Sequence, residues 1–124
     1  MHMGKLTIAA LALTLVATPA SAMNVAEFLA KAKTLQARGM LAIFSSDYKL
    51  LKNEMLGIGA QYRADVEGAK AAGRAPHSCP PPRGKAKMTP EELLADLERI
   101  PVAQRGMSMK AAFYAIMQRR YPCR

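Results

Sequence analysis

The sequence predicts an all-α fold, a small bundle of four to five helices stapled by one disulfide. Three observations carry that expectation. Apolar residues recur every three or four positions through most of the chain, and no stretch alternates with the period of two that marks a half-buried strand. Helix start signals stand at Asn24, Thr89 and Ser108. The only two cysteines, Cys79 and Cys123, bracket the C-terminal segment of a chain that carries the marks of export.

Those marks lie at the beginning. Lys5, with His2, makes a short basic region, and Leu6 to Ala17 is an unbroken run of apolar or small residues. Thr18-Pro19 breaks the run, and Ala20-Ser21-Ala22 supplies the small-x-small pattern of a cleavage site. The run is short for a bilayer-crossing helix. A buried N-terminal helix and a retained membrane anchor are the competing readings. No cysteine follows the leader, so lipid attachment has no acceptor there. Residues 1–22 are therefore expected to be a signal peptide and residues 23–124 a single helical domain, periplasmic after export, with no stable membrane span once the leader is removed.

Of the 124 residues, removal of the first 22 leaves 102, enough for one modest core. The formal charge falls only from +9 to +8, because Lys5 is the one charged residue removed. A chain this basic favours acidic partners: an acidic protein surface, an anionic cell-wall polymer or lipid headgroups. Export argues against nucleic acid, and little aromatic material is present for bases to stack on. The plainer alternative is that dispersed lysines and arginines keep a small helical protein soluble.

Each element follows from local chemistry. Asn24 with Glu27 three residues on forms a capping box, Val25, Phe28, Leu29, Ala32 and Leu35 follow at helical spacing, and Gly39 offers a stop. A first helix over about Val25 to Arg38 is expected. A longer second helix starts either at a cap in Ser45-Ser46-Asp47 or nearer Met40. Its stripe is Leu51, Met55, Ile58, Tyr62, Val66 and Ala69. Gly57 and Gly59 fall inside it, each at a cost of about 1 kcal/mol relative to alanine. Close approach of another backbone or a local bend is the expected reason. They do not make a phosphate loop, since no strand precedes them and the full G-x-G-x-x-G is absent.

Residues 73–87 are irregular, with Pro80-Pro81-Pro82 favouring an extended, stiff course near Cys79. Thr89 caps a third helix, with Pro90 at its first position, Glu92 at its third and the apolar face Leu93, Leu94, Leu97, Ile100. Pro101 ends it. Ser108 caps a fourth, with the face Met109, Ala112, Phe113, Ile116, Met117, and Pro122 stops that helix before Cys123.

Two cysteines in an exported chain most simply pair with each other, closing a loop of 45 residues counted with both ends. Intermolecular pairing is the competitor. His77-x-Cys79 does not make a convincing thiol site, because the cysteine has an obvious partner and a nucleophile needs a positioned base. Zinc wants four ligands, and His77, Cys79 and Cys123 make three at a spacing that fits no familiar module. Glu91-Glu92 and Asp96-x-Glu98 are read as acids placed to suit a helix N-terminus, not as a glycosidase pair. The methionines fall on apolar helix faces, as core or, less simply, as an adaptable binding groove. No catalytic residue, metal or cofactor is expected. Arg74, Arg83, Lys85 and Lys87 in the irregular stretch are the candidates for partner contact, against the alternative of a merely solvated loop.

The spacing Cys79-Pro80, Thr89-Pro90-x-x-Leu93, Ile100-Pro101, Ala111-Ala112 and Arg120-Tyr121-Pro122-Cys123 resembles the Rap1a/Tai family, over roughly residues 77–124. Its members are small, periplasmic, all-helical, cysteine-bonded proteins, and characterised ones are immunity proteins against type VI secreted cell-wall amidases. The family commonly carries a further cysteine with a Gly-Tyr-type motif in its long central helix. Here that region reads Asn53-Glu54-Met55-Leu56-Gly57-Ile58-Gly59-Ala60, so a second disulfide is absent. The resemblance implies a dimeric helical inhibitor; with no chemistry of its own, it would occlude a secreted toxin, and the basic surface would suit an acidic one. The other reading is a small basic periplasmic module that binds the envelope.

Overall fold

The computed structural model describes residues 22–85 and 88–124. Most of the expected leader, and Lys87 of the basic loop, lie outside those residues. Four α-helices follow in order: α1 (Val25–Arg38), α2 (Ser46–Ala71), α3 (Pro90–Glu98) and α4 (Met109–Arg120). Two short 3₁₀ segments, Gly39–Phe44 and Val102–Gln104, lie between α1 and α2 and between α3 and α4. Among the described residues there is no strand, only an isolated antiparallel bridge between Asn24 and Ser108. The fold is the all-α bundle expected.

The caps act as read. Asn24 accepts from the Glu27 amide at 2.8 Å, Ser45 from Tyr48, Thr89 from Glu92 and Ser108 from Ala111, the last three at 3.1 Å. Each satisfies one amide that a helix start leaves without a partner. Gly39 ends α1 at φ 62°, a backbone that β-carbon-bearing residues avoid. Of the two starts open for α2, Ser45 is the cap, and the chain from Gly39 to Phe44 forms a separate 3₁₀ turn.

α1 sits at the centre, packed against α2, α3 and α4, and α2 also packs on α4. The core joins Val25, Phe28 and Leu29 of α1 to Ile58, Tyr62 and Val66 of α2, Leu97 of α3, and Met109, Phe113 and Ile116 of α4. Tyr62 meets Phe113 edge to face, with ring centroids 5.5 Å apart. All five residues expected on the apolar face of α4 are buried.

The expected close approach at Gly57 and Gly59 is not found. A β-carbon at either would have nothing within 4 Å, and α2 runs through both without interruption. Asp96 also departs from its reading. It lies in the second half of α3 and is buried, so the helix N-terminus does not account for it. Arg120 of α4 does: its Nε donates to Asp96 Oδ2 at 2.7 Å, and a terminal nitrogen of the same guanidinium lies 2.7 Å from that oxygen as an ion pair.

Cys79 and Cys123 are joined, with Cα atoms 5.0 Å apart and a separation of 44 positions in sequence. The Cys79 amide donates to the Tyr121 carbonyl at 2.8 Å. The Pro-rich loop and the end of α4 are thus held together by a covalent bond and a backbone bond. Chain-entropy arithmetic for a loop of this length gives about 4 kcal/mol of stabilisation.

Candidate partner-binding surfaces

Two surfaces carry features that a folded monomer does not by itself require. The first is the basic loop. Arg74 follows the last turn of α2 and is exposed, its amide donating to the Ala69 carbonyl at 2.9 Å. Arg83 reaches back to α2, its Nε lying 3.4 Å from Glu67 Oε1, with both side chains well exposed. Lys85 stands exposed in the turn that Gly84 allows at φ 84°. The fold therefore sets Arg83 beside the C-terminal turns of α2, whose chain runs on into Arg74. One of these charges is already partly answered by Glu67. An exposed pair of that kind contributes about 0–1 kcal/mol and yields readily to a competing anion.

The loop is positioned from beneath. Ser78 is fully buried and hydrogen-bonded to the hydroxyl of buried Tyr62, and Arg63 donates to the Pro81 carbonyl at 3.1 Å. Beside them Tyr114 donates to Asp65 Oδ2 at 2.5 Å. Desolvation, and then the adjacent Asp65 carboxylate, push the Tyr114 hydroxyl well above the usual phenol range. His77 is exposed, its ring 5.5 Å from that of Tyr114. Both cysteine sulfurs are in the disulfide, so neither is a thiolate. Among the described residues no three His, Cys, Asp or Glu side chains gather as a metal site.

The second surface is apolar and lies at the other end of α2. In a 3₁₀ turn side chains three apart eclipse, giving three rows. Over Gly39–Phe44 one row turns Ala42 inward to burial. The other two carry Met40 with Ile43, and Leu41 with Phe44, and all four are exposed, Met40 at 89% and Phe44 at 79%. Exposed Leu56 on α2 extends the apolar character. Next to them a groove of about 610 Å³ runs between α1, the 3₁₀ turn, α2 and the start of α3. Its walls include Leu35, Ile43, Leu51, Met55, Leu56, Met88 and Leu94, with Lys52 and Glu91 as charged members.

The methionines divide accordingly. Met23, Met109 and Met117 are core, whereas Met55 and Met88 are only partly buried and line the groove. An unbranched thioether suits such a wall, because it can repack against different guests. Sequence reasoning assigned Arg74, Arg83, Lys85 and Lys87 and missed this surface. Its signal was present: five consecutive apolar residues, Met40 to Phe44, form a run that an exposed segment does not normally carry.

A second cleft of about 450 Å³ lies between α3 and α4, lined by Glu92, Asp96, Arg99, Arg119 and Arg120. Glu92, Asp96, Arg99 and Arg120 answer one another. Arg120 bridges Asp96 and reaches Glu92 at 3.7 Å, and Arg99 stands 3.9 Å from Asp96. No described helix is long and apolar enough to cross a membrane. Comparison with protein-family models, with curated proteins and with solved structures finds no match.

Proposed function

We propose that this chain is an exported, non-enzymatic binding protein that inhibits a secreted cell-wall hydrolase, in the manner of the Rap1a/Tai immunity proteins its C-terminal half resembles. The observation that carries the binding role is the apolar surface of Met40, Leu41, Ile43 and Phe44 beside the groove. Burying large apolar side chains that a monomer leaves in water is the main favourable term in protein association. The disulfide supports an oxidising compartment, since such bonds persist there and are rare where thiols are kept reduced. The basic loop serves as a steering rim for an acidic toxin, raising the encounter rate more than the affinity.

The test is digestion of purified peptidoglycan by secreted amidases, with and without the protein. The expected outcome is stoichiometric suppression by wild type, lost in Leu41→Asp/Phe44→Asp and kept at slower onset in Arg83→Gln/Lys85→Gln. Failure to suppress any amidase removes the inhibitor reading.

The charge favours a second reading, a basic module that binds anionic envelope polymer or lipid. It predicts sedimentation with peptidoglycan or anionic vesicles that is reversed near 1 M salt, where the screening length is about 3 Å. The apolar variants would sediment unchanged.

A further inference from the structure

The start of the described chain holds an arrangement that neither binding surface uses. Ala22 is exposed, whereas Met23 is 6% exposed and belongs to the core. Exposure thus gives way to burial between Ala22 and Met23, across the bond at which Ala20-Ser21-Ala22 predicts cleavage.

The Met23 nitrogen is also aimed. It lies 3.2 Å from Glu54 Oε1, on the middle of α2. Among the described residues Glu54 makes no other ion pair or side-chain hydrogen bond. The position of the nitrogen is set from the far side. The Met23 carbonyl accepts from the Met109 amide at 2.9 Å, and the Val25 amide donates to the Met107 carbonyl at 3.0 Å. These bonds belong to residues 23 onward and need nothing upstream.

We propose that Glu54 is a receptor for the N-terminus created by processing. Hydrolysis of the Ala22–Met23 peptide consumes one water. It leaves a carboxylate on Ala22 of the leader and an amine on Met23, which takes up a proton. The α-ammonium then stands where a neutral amide stood, 3.2 Å from the Glu54 carboxylate. A hydrogen bond with one charged partner becomes an ion pair with both partners charged, and ties the start of α1 to α2. The proposal rests on the export reading, because only processing frees the amine. It adds that the domain is built to register its own maturation.

The experiment uses the protein recovered after export of the full chain. Intact mass is expected to show Met23 as the first residue. Acylation of the α-amine by an N-hydroxysuccinimide ester at pH 7 is then followed by mass spectrometry. An opposite charge at this distance raises an amine by about one pH unit, so acylation is expected about tenfold slower in wild type than in Glu54→Gln. Glu98→Gln, an exposed acid on α3, is expected to match wild type. In wild type alone, the amine is expected to titrate above about 8, the upper end of its ordinary range. Recovery with the leader intact, or with another first residue, overturns both the cleavage expectation and the proposal. Recovery with Met23 first, but with equal acylation rates in wild type and Glu54→Gln, overturns the receptor role and leaves export standing.

Discussion

The two halves of α2 meet their surroundings differently. Toward its C-terminus Tyr62, Arg63 and Asp65 are bonded to Ser78, Pro81 and Tyr114, and the disulfide closes the same region. Toward its N-terminus Leu51 and Met55 form one wall of an open groove, and Leu56 and the neighbouring 3₁₀ turn face solvent. Directional bonds fix one geometry, whereas apolar contact is tolerant of shape. The C-terminal half is therefore suited to holding a loop in place, and the N-terminal half to receiving something from outside.

Breaking the fixed end should have the largest effect. Replacing both cysteines by serine is expected to lower unfolding stability by about 4 kcal/mol, read by urea denaturation of oxidised wild type against the variant. A loss below about 1 kcal/mol would mean that the backbone and Tyr62–Ser78 bonds already hold the loop.

Tyr62→Phe keeps the ring packed on Phe113 but leaves the Ser78 hydroxyl buried without its partner. The expected cost is about 1–3 kcal/mol. Among the described residues every buried side-chain polar atom is now satisfied, so the variant isolates one hydroxyl. Ser78→Ala added to Tyr62→Phe should recover part of that loss, since both polar atoms are then gone.

Gly57 and Gly59 sit where the comparison turns over, and open space surrounds them. Alanine at each is expected to stabilise the protein by about 1 kcal/mol, seen as a higher denaturation midpoint. If the double variant keeps that gain but loses amidase inhibition, the partner approaches α2 closely at these glycines.

The smallest stability effect belongs to the apolar end. Leu41→Ser/Phe44→Ser should change unfolding free energy by less than about 0.5 kcal/mol per site, because neither side chain is buried. The same variant should lose inhibition. A large loss of stability without loss of inhibition would move the 3₁₀ turn from a contact surface to a structural element.

The helices were legible because their determinants are local. Asn24, Thr89-Pro90 and Ser108 cap within three residues of themselves, and the stripe from Leu51 to Val66 repeats at the helix period. The disulfide was legible because two cysteines behind an expected leader have few alternatives. The candidate surface was not. Whether Met40 to Phe44 is core or surface depends on which row of a 3₁₀ turn meets α1 and α2, and periodicity tuned to α-helices does not register that. The same holds for Asp96, whose partner Arg120 is 24 positions away. It holds equally for Gly57 and Gly59, whose surroundings no local pattern describes.

The sequence by itself determined the helical class and the starts of the first, third and fourth helices, consequences of backbone chemistry and residue type at short range, and it made pairing of Cys79 with Cys123 the simplest use of two cysteines. Only the tertiary structure decided that Glu54 receives the Met23 nitrogen, that Tyr62 and Ser78 bury a hydroxyl pair, and that an apolar turn is left facing water. Each of those depends on which faces of separate helices meet, a long-range outcome set by packing the whole chain at once.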